Sequence, residues 1–191
     1  MLERVQEEVD AYLRRHPQEQ QRLCGLRDQL GVDADPFVRS NMAGHITSSV
    51  LVVNAGFRHV LLIHHKVYTS WMQPGGHVEA DSLGLLESGL REVEEETGLP
   101  LAHVRPLLQG RVLDIDTHAI AARTDKGEGA HRHHDFLYLA LASRPFVPRP
   151  QLEEVNEVAW VPIEDFLAIP GQRMQHLVPK LRCFLMEARK A

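Results

Sequence analysis

The sequence predicts an α/β or α+β domain built around a mixed β-sheet, preceded by a helical segment. Three observations predict it. Apolar residues recur at helical spacing through the first 42 positions. From His45 onward, short β-branched runs alternate with turn residues. Two later stretches, around Leu83–Thr97 and Gln172–Ala188, return to a helical period. Strand-rich segments with interspersed helices suit a sheet covered by helices.

Each element follows from local chemistry. Leu2, Val5, Val9, Tyr12 and Leu13 form one apolar stripe, Pro17 interrupts it, and Leu23, Leu26 and Leu30 form a second up to Gly31, a C-cap. Asp35-Pro36 looks like a cap followed by a first-turn proline, opening a short helix toward Met42. Residues 1–42 are therefore expected as a helical extension packed on a main domain of residues 43–191, with a substrate-facing lid or a dimer arm as the alternative. Ile46–Ala55 and Val60–His64 read as strands joined by a turn. Trp71–Glu79 reads as a turn-rich loop, and Leu83–Thr97, stopped by Gly98, as a helix. Val104–Asp116 and His134–Leu141 read as strands, with a two-glycine loop, Arg123–Ala130, between them. Val155–Val161 is a last strand, and Pro162–Phe166 starts a short helix. Gln172–Ala188 closes the chain, with Pro179 either kinking that helix or marking its true start.

Composition narrows the class. The 191 residues are 43% hydrophobic and 25% charged, with a net charge of -5. That acidic balance argues against a nucleic-acid or anionic-membrane binder. No apolar run reaches membrane-spanning length. The N-terminal Met1-Leu-Glu-Arg-Val-Gln-Glu-Glu is too charged for a signal peptide, so a cytoplasmic protein is expected. Cys24 and Cys183 form no metal-ligand spacing and are expected as free thiols.

The sharpest pattern is Arg91-Glu92-Val93-Glu94-Glu95-Glu96-Thr97-Gly98-Leu99. On a helix, Glu92, Glu95 and Glu96 stand at i, i+3 and i+4 on one face, while Glu94 points to solvent. Three like charges there repel unless a cation lies among them, and carboxylate oxygens suit Mg²⁺ or Mn²⁺. A solvated acidic face is the plainer reading of such a run taken alone. Upstream, Gly75-Gly76 permits backbone geometry that could aim a main-chain carbonyl at the same ion.

Gly76…Arg91-Glu92-Val93-x-Glu95-Glu96-x-Gly98-Leu99 resembles the signature of the Nudix hydrolases: Gly, five residues, Glu, seven residues, then Arg-Glu-aliphatic-x-Glu-Glu-x-Gly-aliphatic. The second half matches throughout. The first half departs, because five residues on from Gly76 stands Ser82 instead of Glu, with one extra residue before Arg91. Glu79, Asp81 and Glu87 are the acids nearby. Trp71-x-Gln-Pro-Gly-Gly-His and Trp160-Val-Pro extend the resemblance. It implies an α/β/α sandwich around a mixed sheet over roughly residues 43–170. It also implies Glu92, Glu95 and Glu96 as ligands of Mg²⁺ or Mn²⁺, the Gly75 carbonyl joining them, and Arg91 orienting the glutamates. The reaction implied is metal-dependent hydrolysis of a diphosphate linkage in a small nucleoside-diphosphate-type substrate, with Glu92 as the favoured base and Glu95 beside it. Dimers are common in the family.

Twelve histidines are the compositional oddity. Asp114, Asp116 and His118 alternate onto one strand face, and His131 and His133 share a face further on. Three readings are open: a solvated polar face, a substrate-phosphate site using the imidazoles and Arg132, or a second metal site of His and Asp ligands. His77 follows Gly76 and is expected near the glutamates. Trp71 reads as a core plug or as a platform for a base. Two rival functions stay in view. A non-catalytic Nudix-like nucleotide sensor would explain the displaced first Glu. An isoprenoid-diphosphate isomerase would need a cysteine near the signature, and neither cysteine is close in sequence.

Overall fold

The computed structural model describes residues 1–32, 35–79, 81–123 and 127–188. The middle of the two-glycine loop, residues 124–126, lies outside that range. The β-branched run after Gly44 forms the central strand β1 (His45–Asn54), which is buried along almost its whole length. Beside it lie β2 (His59–His65), β3 (Ser70–Met72) and β4 (Gly75–His77). Further along come β5 (Val104–Pro106), β6 (Asp114–Ile120), β7 (His131–Ala142) and β8 (Val155–Pro162). Among the described residues these eight strands make one sheet. β1 runs parallel to β7, with His45 opposite His133 and Thr47 opposite Asp135. The remaining strand pairs are antiparallel, so the sheet is mixed as expected.

Strand alternation sends Ile46, Val50, Val52, Phe136, Tyr138 and Ala140 to one face. There they pack on α1 (Leu2–Arg15), α2 (Cys24–Val32) and α3 (Leu85–Thr97). Leu51, Val53, Leu137, Leu139 and Leu141 face the other way, onto α4 (Ile163–Leu167) and α5 (Gln172–Ala188). The result is an α/β/α sandwich. α1 is integral to the first core, since Val5, Val9 and Tyr12 are fully buried.

Three local expectations change. Residues 36–43 form successive turns instead of a helix, because the Asp35 and Asn41 side chains accept the Phe37 and Ala43 amides that a helix would use. The loop before α3 contains two short strands, since β1 offers its edge to β4 and β2 offers its edge to β3. The expected strand 104–116 is two strands. Leu108 and Gln109 adopt left-handed φ of 52° and 59°, which breaks the ladder so that β5 meets the end of β7 and β6 its beginning. α5 keeps its expected bounds, with Pro179 inside it and not at its start.

Candidate active site

The carboxylate helix folds as its sequence suggests. α3 ends where Gly98, at φ 70°, donates its amide to the Glu94 carbonyl at 2.8 Å. Glu92 and Glu96 turn toward the glycine turn, while Glu94 is exposed. The Gly75 amide donates to Glu96 Oε2 at 3.0 Å. A Cβ on Gly76 would stand 2.6 Å from Glu92 Oε1. Both glycines are therefore needed for the strand to lie this close to the carboxylates.

The three glutamates are not equivalent. Glu96 is 4% exposed, and the Glu92 side chain is 14% exposed. The Glu95 side chain is 52% exposed and stands at the rim. Arg91 bridges them, donating Nη2 to Glu92 Oε1 at 2.8 Å and Nη1 to Glu95 Oε2 at 2.6 Å. The same Nη1 lies 3.4 Å from Glu79 Oε1. Burial pushes the Glu92 carboxyl up to about 7 against the pull of Arg91, with Glu95 adding repulsion. Burial likewise pushes Glu96 up to about 8, partly offset by the Gly75 amide and reinforced by Glu92. Two buried carboxyls that repel each other, with one guanidinium shared among three acids, make a donor set suited to a hard divalent cation.

Two further acids border this site. Glu79, one of the three acids noted near the altered half of the signature, shares Arg91 with the helix. Glu154 was not anticipated. It lies in the turn before β8 and raises the carboxyls of both Glu92 and Glu96. Nothing local in the sequence marks it, because the turn reaches α3 only through tertiary pairing: the Arg149 and Gln151 amides donate to the Thr97 and Glu96 carbonyls.

The histidines gather on the opposite face of the sheet. His77, next to Gly76 on β4, points away from Glu92 by strand alternation. It meets His45, His131 and His133 there. The His45 ring centroid lies 5.0, 4.8 and 4.7 Å from those of His77, His131 and His133 respectively. His118 stands behind His133 at 5.7 Å, its Nδ1 held 2.9 Å from Asp116 Oδ2. The polar faces of β6 and β7 align, with His118 opposite His133 and Asp116 opposite Asp135. His45, which opens β1, was not anticipated as part of this group.

Burial, then the neighbouring imidazoles of His45 and His77, pushes His133 down to about 2. Burial and then Arg39 push His77 down to about 4. His45 is also lowered, chiefly by burial. These rings are neutral at physiological pH.

Arg132 and Trp71 are not brought to this cluster. Arg132 alternates to the α2 face, where its Cβ would meet a Cβ added at Gly44 at 3.3 Å. His134 also lies on that face, with Nδ1 2.9 Å from Thr117 Oγ1 and Nε2 3.0 Å from Gln29 Oε1. Trp71, on the outer strand β3, is 38% exposed and contacts His64 edge-on at 5.5 Å. It is thus no core plug: β3 is an edge strand, and its residues are exposed or half-buried.

The NUDIX domain family model matches residues 44–181. The chain belongs to the Nudix family. Among curated relatives, it is 34% identical over 100 residues to the m7GpppN-mRNA hydrolase NUDT17 of Xenopus laevis, covering 49% of this chain and 32% of that protein. The corresponding Danio rerio protein is 35% identical over 99 residues, covering 48% and 31%. The matched stretch spans only about a third of those relatives' length. A C. elegans Ap4A hydrolase shares the fold with a TM-score of 0.59 at 18% identity, covering 74% of this chain and 98% of that one. The NUDIX domain of Shewanella oneidensis NrtR, in complex with ADP ribose, aligns with a TM-score of 0.53 at 21% identity, covering 83% and 97%. Among the described residues, no helix is long and apolar enough to cross a membrane.

Proposed function

We propose that the protein is a divalent-cation-dependent pyrophosphohydrolase, cleaving the P–O–P linkage of a small nucleoside-diphosphate-type substrate. The observation that carries this reading is the pair of half-buried Glu92 and buried Glu96 set against a glycine turn, with Glu95 at the rim. Mg²⁺ or Mn²⁺ would be held by Glu92, Glu95 and Glu96, with the Gly75 carbonyl as a further ligand. When bound, such an ion neutralises phosphate oxygens and lowers the pKa of water.

The chain's own groups do the rest. Glu92, held by Arg91 beside the proposed ion, accepts the proton of the attacking water. Attack at phosphorus breaks the P–O–P bridge and gives two phosphate-bearing products. Arg91 holds Glu92 and Glu95 apart and oriented through its two amino nitrogens. Glu96 is fixed by the Gly75 amide. Glu79, which shares Arg91, and Glu154, which repels both Glu92 and Glu96, we assign to the outer ring of charge about the ion.

The test is release of phosphate-bearing products from a panel of nucleotides, nucleotide sugars, dinucleoside polyphosphates and a capped dinucleotide, with and without Mg²⁺ or Mn²⁺. The last compounds belong in the panel because the curated relatives are named as m7GpppN-mRNA hydrolases. Metal-dependent turnover of at least one diphosphate is expected. Binding of such ligands with no turnover would instead favour a sensor, a reading supported by the missing first Glu.

A further inference from the structure

We propose that His45, His131 and His133 form the ligand set of a transition-metal site, with His77 on its fourth side, on the face of the sheet opposite the glutamates. One ligand nitrogen from each of the three lies within 4.8 Å of the others. His131 Nε2 is 3.2 Å from His133 Nε2, and His77 Nε2 is 3.1 Å from His45 Nε2. A tetrahedral ion with metal–nitrogen bonds of about 2.0–2.1 Å keeps its ligand atoms about 3.3–3.4 Å apart. Two of its six edges, His131–His133 and His45–His77, are therefore already close to that spacing.

The outer contacts fix the tautomers this requires. His45 Nδ1 lies 3.2 Å from the Asn41 carbonyl, and His131 Nδ1 lies 2.8 Å from the Gly129 carbonyl. A carbonyl only accepts, so both rings carry their proton on Nδ1 and turn the Nε2 lone pair inward. A backbone carbonyl or carboxylate on the far nitrogen is the usual support of a metal-binding histidine. His118, held by Asp116, continues the same pattern one ring out.

The donor set decides the class of ion. All-imidazole ligation suits Zn²⁺, Cu²⁺, Ni²⁺ or Fe²⁺, whereas Mg²⁺ and Mn²⁺ prefer the oxygens of the glutamate site. The two sites thus select different ions on the two faces of one short strand, with Gly76 turned to one and His77 to the other. His77, His131 and His133 also line a small cleft with Arg39, Tyr68 and Glu128.

Chelator-stripped full-length protein, titrated with Zn²⁺ in excess Mg²⁺, tests the proposal. One equivalent of Zn²⁺ is expected to bind and survive desalting. His131→Ala and His133→Ala should each weaken it roughly 100-fold or more. The paired change Glu92→Gln with Glu96→Gln should leave it intact, which separates this site from the hydrolytic one. His134→Ala, on the other face, should also leave it intact. Co²⁺ bound to the unmodified protein should show the visible bands of tetrahedral nitrogen ligation, a readout that does not depend on any variant folding. Absence of stoichiometric Zn²⁺ and Co²⁺ binding, or equal affinity in the histidine variants, would overturn the proposal and leave a hydrogen-bonded imidazole cluster.

Discussion

The backbone amide of Gly75 donates to Glu96 Oε2 at 3.0 Å, joining the glycine turn to the last carboxylate of the helix. Glu96 is thus held in a buried, charge-rich position that has little value to the fold. Glu96→Gln keeps the acceptor but removes the charge. It should lower kcat on the order of 10²–10³-fold. In metal-stripped protein it should raise Tm, because a repelling, desolvated carboxyl is gone. Steady-state assays paired with a thermal melt check both, and retained turnover would remove Glu96 from the ligand set.

Gly76→Ala tests the other half of the junction. Its Cβ would stand 2.6 Å from Glu92 Oε1, the end of a flexible side chain. The chain should fold, with Glu92 displaced and turnover falling. Gly75→Ala should instead destabilise the fold, since its Cβ would meet the Ser49 Cβ at 2.4 Å and its φ is 159°. Urea denaturation and kinetics on the two variants should therefore diverge.

Acid stability should depend on Glu19. Burial alone would raise its carboxyl, but hydrogen bonds from Lys180, Tyr12 and Arg22 together hold it at about 2. A depressed carboxyl stabilises the fold above its unfolded value of about 4.5 and loses that contribution as pH falls toward about 2. Urea midpoints taken between pH 6 and pH 2 should drop across that window. Lys180→Met removes the cation that lies 2.6 Å from Glu19 and 2.5 Å from Asp114, and should cost about 3 kcal/mol at neutral pH. A flat profile in Lys180→Met over the same window would show that Glu19 owes its low value to this lysine.

Arg173 should prove essential to the mating of α5 with the sheet. Its Nη2 donates to Asp135 Oδ2 at 2.6 Å, and Asp135 also accepts from Thr47 and Ser49 at 3.1 and 2.7 Å. Arg173→Met strands a buried carboxylate and should cost about 3–5 kcal/mol. Adding Asp135→Asn should recover much of that loss, and a double-mutant cycle measures the difference.

The carboxylate helix was legible because its geometry is local. Positions i, i+3 and i+4 meet on any α-helix, whatever surrounds it, and Gly98 stops this one in place. Sequence also carried the mixed sheet, the central β-branched strand and the shared polar faces of Asp116, His118, His131 and His133, since alternation is likewise local. It placed Arg132 beside the histidines only by proximity in the chain. Alternation turns it to the other face.

What depended on tertiary structure is everything assembled from distant segments. His45 joins His133 because β1 and β7 pair in parallel, and nothing within either strand specifies that register. Glu154 nears the carboxylates because the turn before β8 docks on the end of α3. The sharply unequal burial of Glu95 and Glu96, neighbours in sequence, follows from which side of the helix the glycine turn covers. The sequence by itself determined the family, the carboxylate helix and the period of each element, because those rest on short-range backbone geometry. Only the packed sheet decided that glutamates would gather on one of its faces and imidazoles on the other, because a strand alternates its side chains but does not choose its neighbours.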